Sequence, residues 1–519
     1  MPSLEGGCLT SLTVYDGGHG IGGNKIYLEE DGSGVFLDFG KNFSKYSAFY
    51  EEFLRSRDAR GIHDLIYLNL LPRLNIYRED LLPADVNIHT YPSLGVAAVL
   101  VTHAHFDHCG NIGMLRSDIP MVASPESLVM MKGMQDTGHQ SLEMEMVYVS
   151  PRGMSDDHGL CLGSQRNACY RGRDICCAGE LSDELISYLS RRPGQESARA
   201  KRLEPGRCQS VDEAELPFDV SAHPVDHSVP GATAYILRGD TTVAYTGDFR
   251  LHGRNREMTL EFVRAARDAS VLITEGTRIR ENGGEGVVTE QTVAEACLDA
   301  VERSSGLVIA DFSPRNFERL ESFQEIARKT GRELVVTAKD AYLMHALQSI
   351  GSFSMDSSLR IYKEISSARG KWREEVVDKN YSSRYVDHLS IRENLEAYIL
   401  CFSFLDMKNL LDIKPDGGTY IYSACEAFNE EMEIDFHRLW RWLQHFSMIS
   451  VGFGIDGDGT LHFDGRYHAS GHASGDEIRR VVETVDPEHI VPVHTQHLEW
   501  FEKNFDNVVS LEEGRPYEF

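Results

Sequence analysis

The sequence lacks any run of about 18 apolar residues, the least a helix needs to span a bilayer, so no membrane-crossing helix and no membrane partner are expected. Its first eight residues carry neither the basic stretch nor the apolar core of a secretory signal, and a cytoplasmic location is the expectation. The ten cysteines are scattered without regular spacing, which excludes a disulfide framework and fits reduced thiols. The loose group Cys161, Cys169, Cys176 and Cys177 lacks the paired spacing of a structural zinc site. Lysine is scarce, 13 residues against 39 arginines, and the formal net charge is −28. That balance excludes broad phosphate-driven binding over the whole surface, but a local basic channel remains open to the fold. Internal repeats and low-complexity tracts are also missing.

What is there is a globular chain, 41% apolar and long enough for about two or three domains. Residues 25–29 and 34–38 read as a hairpin around Glu30-Asp31-Gly32-Ser33. Residues 96–101 form a continuous apolar run, typical of a strand buried on both faces. Residues 232–237 and 243–245 suggest another hairpin, and 271–274 a further strand. From about residue 279 the pattern changes to alternating helices and strands: helix 289–305, strand 307–311, helix 316–329, strand 334–337, helix 341–350. Such alternation implies a parallel sheet with right-handed crossovers. Strands at 397–401 and 419–423 lie near its end, and helix 476–485 and strand 489–493 follow. Residues 140–215 show no periodicity and hold Arg191, Arg192, Arg199, Lys201, Arg202 and Arg207 among Gly, Ser and Pro. They read as an irregular insertion, either a solvated loop or a basic lip.

Chemistry concentrates in His103-x-His105-x-Asp107-His108, four metal-competent groups within six residues, just past a buried strand. Open α/β sheets bind their ligands at such strand ends. In a loop, His103 and His105 can converge on one ion while Asp107 and His108 turn to another; imidazole and carboxylate suit zinc. Further ligands must come from elsewhere, and Asp226-His227-Ser228, Gly247-Asp248-Phe249 and Pro492-Val493-His494 also sit at strand ends. An aspartate among them can bridge two cations about 3.5–4 Å apart. Gly18-His19-Gly20-Ile21-Gly22-Gly23 matches a dinucleotide-loop pattern, but a β-type run follows it where a helix is needed. A tight loop over the metal site, with Asn24 facing the metals, is the better reading. Ser313, Asn316 and Arg319 lie between a strand and a helix, where backbone donors suit a phosphate; helix capping by Ser313 or Asn316 is the competing role.

These motifs resemble, in order and spacing, those of the metallo-β-lactamase superfamily: Asp38 in Phe36-Leu37-Asp38-Phe39-Gly40, the His103–His108 run, Asp226-His227-Ser228-Val229-Pro230, and Tyr245-Thr246-Gly247-Asp248-Phe249-Arg250. Glu275, His472 in Ser470-Gly471-His472-Ala473-Ser474, and His494 resemble the extra motifs of its β-CASP branch, the nucleases, and the run 467–494 is most similar to the ribonuclease J family. The resemblance implies that His103, His105 and His227 bind one zinc, that Asp107, His108 and His494 bind the other, and that Asp248 bridges. It favours His227 over the neighbouring His223. It makes His472 the general acid, Glu275 a support for the ligand histidines, and Asp38 a residue orienting ligands. Ser313, Asn316, Arg319, Ser470 and Ser474 would grip substrate phosphates.

The expected architecture is therefore α/β: a metallo-β-lactamase αββα sandwich from residues 1–278 and 421–519, with the insertion at about 140–215, and an inserted β-CASP α/β domain at 279–420. The expected activity is metal-dependent hydrolysis of RNA, 5′-to-3′ exonucleolytic with endonucleolytic cleavage beside it. A DNA nuclease of the same superfamily or a small-ester metallo-hydrolase is the alternative. A non-catalytic scaffold would have lost ligands, and an ester hydrolase has no need of the inserted unit. The implied cofactors are two Zn2+ ions, with Mn2+ as the alternative. The implied partner is RNA, with DNA as the alternative and a homodimer left open.

Overall fold

The computed structural model describes residues 10–51, 53–196, 200–279, 288–366, 370–424 and 430–519. Among them, no helix is long and apolar enough to cross a membrane. Three large sheets organise the described residues. The first begins as expected: Lys25–Glu30 and Ser33–Leu37 pair antiparallel, with Asp31 (φ 53°) and Gly32 (φ 76°) supplying the two positive φ angles of a tight hairpin turn. Ser11–Asp16 and Pro516–Glu518 extend it on one side. Val96–Leu100, Met121–Ala123, Ile175–Cys177 and Cys208–Ser210 extend it in parallel on the other. The second sheet runs in the order Asp219–Pro224, Thr233–Arg238, Thr242–Tyr245, Val271–Glu275, His489–Val493.

The two sheets face each other across an apolar layer. Leu12, Val14, Ile26, Leu28, Val35 and Leu37 of one meet Tyr235, Leu237, Val243, Tyr245, Val271 and Ile273 of the other. Helices Arg256–Ala265 and Gly475–Val485 cover the outer face of the second sheet through Phe262, Val263, Ile478 and Val481. Helix Pro125–Thr137 covers the first through Leu128 to Met131. This is the expected αββα sandwich.

The third sheet is parallel throughout: Tyr385–Val386, Arg360–Tyr362, Glu333–Val336, Tyr398–Leu400, Val308–Asp311, Thr419–Tyr422, Ile449–Val451. The expected boundary at residue 420 therefore falls too early. Thr419–Tyr422 runs across it, and Ile449–Val451 belongs to the inserted unit together with helix Glu430–His445, whose Phe436, Leu439 and Leu443 pack under the sheet. The insertion at 140–215 also differs from expectation. It adds Ile175–Cys177 and Cys208–Ser210 to the edge of the first sheet and forms two small sheets of its own. Strands of two or three residues are too short to show a period of two, which is why no signal was legible there.

A buried ionic network joins the sandwich to the inserted unit. Arg250, fully buried, donates to Asp226 Oδ1 (3.0 Å), Glu290 Oε1 (3.0 Å), Glu318 and the Ser470 carbonyl (3.2 Å). Arg319, equally buried, donates to Glu290 Oε2 (3.0 Å) and to Ser423. Burying charges is tolerable only when each keeps its partners, and removing one partner costs about 3–5 kcal/mol. Arg250→Ala takes a shared cation from three buried carboxylates at once, leaving Arg319 as the guanidinium on Glu290. Thermal unfolding should show a large drop in midpoint for this variant, and an unchanged midpoint would mean the network carries no weight.

Candidate metal centre

The metal-competent side chains come from the ends of five strands, where the backbone leaves the sheets. Two of them stand in left-handed backbone: Asp38 (φ 60°), directly after Ser33–Leu37, and His494 (φ 53°), directly after His489–Val493. Asp and His tolerate this region better than most residues, and such strain clusters at functional sites. The Gly-rich loop closes over the site, as expected. A Cβ at Gly22 (φ 80°) would sit 2.9 Å from the Asp107 Cβ, and the Gly23 N–H donates to the Asp107 carbonyl (2.9 Å). Asn24 does not face the metals; its amide donates to the Tyr245 hydroxyl at 3.0 Å.

Two sets of ligand atoms converge. His103, His105, His227 and Asp248 form one, and Asp107, His108 and His494 the other, each with its atoms within 4.8 Å of one another. In the first, His105 Nδ1 lies 2.9 Å from His103 Nε2 and 3.3 Å from His227 Nε2. In the second, His494 Nε2 and His108 Nε2 lie 3.2 Å and 3.8 Å from Asp107 Oδ2. Asp248 Oδ2 stands between the sets, 3.1 Å from His108 Nε2 and 3.7 Å from His103 Nε2. His223 is not part of the site; it lies on strand Asp219–Pro224 beside Ser221 and Phe262.

Three of the ligand imidazoles, those of His108, His227 and His494, are held from behind by their other nitrogen. Asp38 Oδ2 accepts from His108 Nδ1 (2.8 Å), which fixes one proton on Nδ1 and turns Nε2 toward Asp248. The same carboxylate accepts from the Thr102 hydroxyl (2.9 Å) and the Tyr245 hydroxyl (2.7 Å). The Gly471 carbonyl accepts from His227 Nδ1 (2.6 Å), and the Thr277 hydroxyl meets His494 Nδ1 (2.7 Å). Thr277 stands two residues after Glu275, and nothing in its own side chain announces this role. The loop carbonyl carries no side-chain signal at all.

Electrostatics set the protonation states. Burial, reinforced by the neighbouring histidines, holds His103 well below the usual histidine value; burial and then the Arg315 charge do the same for His105. Burial takes His227 down to about 4. These three rings are therefore neutral, the form that ligates a metal. His108 goes the other way: burial opposes its charging, but Asp248, Asp107 and Asp38 outweigh it and raise its affinity for positive charge. Against the same burial, His108, His494 and His472 hold the Asp248 carboxyl well below the carboxylate range.

The residues fit divalent cations. His108 Nε2 and both Asp248 oxygens are buried and make no hydrogen bond. Leaving a carboxylate and a lone pair desolvated and unpaired is costly, and a cation between them removes the cost. The donor set of imidazole nitrogens and carboxylate oxygens is the one zinc takes.

His472 lies beside this centre, its Nδ1 3.0 Å from Glu275 Oε2 and 3.6 Å from Asp248 Oδ2. Glu275 was expected to support the ligand histidines. Its direct partner is His472, and it also accepts from the Phe249 N–H (3.0 Å) and the Thr277 N–H (3.2 Å), the backbone beside Asp248 and the residue that meets His494. The expected phosphate contacts fare less well. Arg319 faces inward from the first turn of helix Phe317–Thr330, onto Glu290 and Ser423. Asn316 caps that helix, accepting from the Arg319 N–H, and Ser474 caps Gly475–Val485 in a reciprocal pair with Glu477. Ser313 and Ser470 remain only half-buried; the Ser470 hydroxyl accepts from the His472 N–H at 3.1 Å. The guanidinium whose charge reaches His105 is Arg315, which the motif reading passed over.

The sandwich with this centre has the architecture of the metallo-β-lactamase fold. Residues 87–307 match the family profile described as Metallo-beta-lactamase superfamily, and residues 466–507 match the Zn-dependent metallo-hydrolase RNA specificity domain. In these two stretches the chain is similar to metallo-β-lactamase-type hydrolases, and the similarity extends to the ribonuclease J-like β-CASP proteins. It is 20% identical to Ribonuclease J of Helicobacter pylori strain J99, across 95% of this chain and 57% of that protein. It is 19% identical to Ribonuclease J of Methanocaldococcus jannaschii, across 91% of this chain and 88% of that one. The chain thus spans little more than half the length of the bacterial relative. A crystal structure of a protein of unknown function from Enterococcus faecalis V583 shares the fold, with TM-score 0.69 and 20% identity over 98% of this chain and 100% of that one.

Proposed function

We infer that the chain is a metal-dependent ribonuclease that hydrolyses RNA phosphodiester bonds, releasing nucleotides from a 5′ end with endonucleolytic cleavage as a second mode. The observation that carries this reading is the source and setting of His472. It comes from the stretch that matches the RNA specificity profile, and Glu275 holds it 3.6 Å from the Asp248 carboxylate. Both relatives named above are ribonucleases by name.

His103, His105 and His227, and Asp107, His108 and His494, together with Asp248, would hold divalent cations, zinc or manganese, which would supply Lewis acidity at the scissile phosphate. The rest falls to side chains. Glu275 accepts from His472 Nδ1 and leaves Nε2 as the proton-bearing nitrogen for the leaving 3′ oxygen. Burial opposes charge on His472, but Glu275 and then Asp248 outweigh it and push its pKa up to about 9 in the metal-free site, which favours the proton-bearing ring. Arg315, with Ser313 and Ser470 nearby in sequence to the two loops concerned, is our candidate to meet the substrate phosphate.

The test compares 5′-monophosphorylated RNA, 5′-hydroxyl RNA, DNA of the same sequence and a simple aryl ester. Metal-dependent mononucleotide release from the monophosphorylated RNA is expected. Equal cleavage of DNA would shift the reading to a general nuclease, and ester turnover without nucleolysis would overturn it.

A further inference from the structure

The insertion at 140–215 builds a second site. A cavity of about 380 Å3, within the ~300–1,000 Å3 usual for small-molecule pockets, opens between the insertion and residues 371–372 of the inserted α/β unit. Its lining joins aromatic rings to cations: Tyr148, Tyr170 and Trp372 with Arg192, Lys201 and Lys371. Tyr148 and Tyr170 pack edge to face at 5.6 Å, and the Arg192 guanidinium lies over the Tyr170 ring at 4.2 Å, with Lys201 at 5.7 Å from the same ring. A backbone contact ties the two walls together, the Gly194 N–H donating to Glu375 at 2.8 Å.

The charge of this cavity runs against that of the chain. Among the described residues, neither Arg192 nor Lys201 pairs with a carboxylate; Arg192 donates to the Lys201 carbonyl and Lys201 to the Ser164 hydroxyl. The Arg192 Nε is buried and without any hydrogen-bond partner. The Lys201 ammonium is depressed by partial burial and then by Arg152 and Arg192, the mark of cations crowded together. The one acid in the lining, Asp136, is neutralised by Lys132 at 2.5 Å and accepts from the hydroxyls of Tyr148 and Tyr342. In a chain of net charge −28, unpaired cations gathered beside aromatic rings need an explanation.

Cations that lack counter-ions suit a phosphate, and aromatic faces suit a base; together they are the elements of nucleotide recognition. Helix Pro125–Thr137 connects the cavity to the metal centre. Asp136 lies in the cavity lining, while Met134, two residues earlier, touches Arg315 at 4.0 Å, the residue whose charge reaches His105. We propose that this cavity binds one nucleotide, its phosphate held by Arg192 and Lys201, with Lys371, which Glu374 pairs at 2.6 Å, on the facing wall, and its base set among Tyr148, Tyr170 and Trp372. That the nucleotide belongs to the substrate strand rests on the ribonuclease reading above; a free nucleoside phosphate has the same chemistry.

The test uses chelator-treated full-length protein, so that nothing is hydrolysed. Calorimetry with AMP and fluorescence anisotropy with a labelled 20-nucleotide RNA are run on the wild type, on the double variant Arg192→Glu/Lys201→Glu, and on Lys371→Glu. Lys371 is exposed and lies on the opposite wall, so it keeps the test decisive if the double variant folds poorly. Affinity should fall about tenfold or more with each variant. A fall with RNA alone assigns the site to the strand. A fall with AMP, from a wild type that does not bind RNA, keeps the site and removes the ribonuclease reading. RNA binding that is unchanged in all variants, with no binding of AMP, overturns the site and leaves the ribonuclease reading standing.

Discussion

Asp248→Ala is expected to lower turnover by about 10^3-fold or more, the scale of losing several kcal/mol of transition-state charge stabilisation. The reason is position. Asp248 Oδ2 reaches from one set of ligand atoms to the other, 3.7 Å from His103 Nε2 and 3.1 Å from His108 Nε2. Without it, no anion holds two cations at the short separation that in-line hydrolysis needs. The same variant makes a second, less obvious prediction. Cations held by Asp248 would stabilise the folded state, so removing this carboxylate should also remove most of the stability that metal binding adds. Comparing thermal midpoints with and without chelator separates this from simple misfolding: wild type should lose stability on chelation, and the variant should lose much less. Wild-type turnover in Asp248→Ala would refute the bridging role.

His472→Ala should lower kcat by about 10^2–10^4-fold while metal content stays at the wild-type level. His472 stands beside the metal ligands without belonging to either of the two sets, and its nearest partner is Glu275. Its loss removes the proton donor and leaves the cations in place. The geometry also allows a contrary outcome, because Asp248, Glu275 and His472 by themselves are close enough to hold an ion. Loss of metal in His472→Ala would make His472 a ligand and require another acid. Glu275→Gln discriminates further. As a positioning residue it should lower kcat through His472, and it should shift the limb of the pH profile that reports proton donation.

Much of this centre was legible because metal chemistry uses few residue types in tight spacing. His103 to His108 could be read from six positions after one apolar strand. His227 was separable from His223 for a reason the structure makes plain: His223 is inside strand Asp219–Pro224, paired opposite Ala234, whereas His227 lies past the strand end. The misreadings share a different cause. Arg319 sits at a helix start and looks like a phosphate ligand, but which way a first-turn side chain faces depends on what packs against it. Here that is Glu290, from another helix. Arg250 was quoted only as the tail of a motif, and its role needs Asp226, Glu290 and Glu318 brought together across the chain. Ile449–Val451 completes the third sheet on three residues with no alternation, so the domain boundary was set too early. Local chemistry can be read from spacing; partners distant in sequence cannot.

The central claim is a pair of cation sites bridged by Asp248, and its most direct test is the metal-to-protein ratio of metal-replete protein after dialysis, measured by inductively coupled plasma mass spectrometry. The account predicts two equivalents of zinc or manganese in the wild type, one in His227→Ala, and restored RNA hydrolysis when chelated wild type is reloaded. A wild type that retains no metal, yet hydrolyses RNA at full rate in chelator, would contradict it.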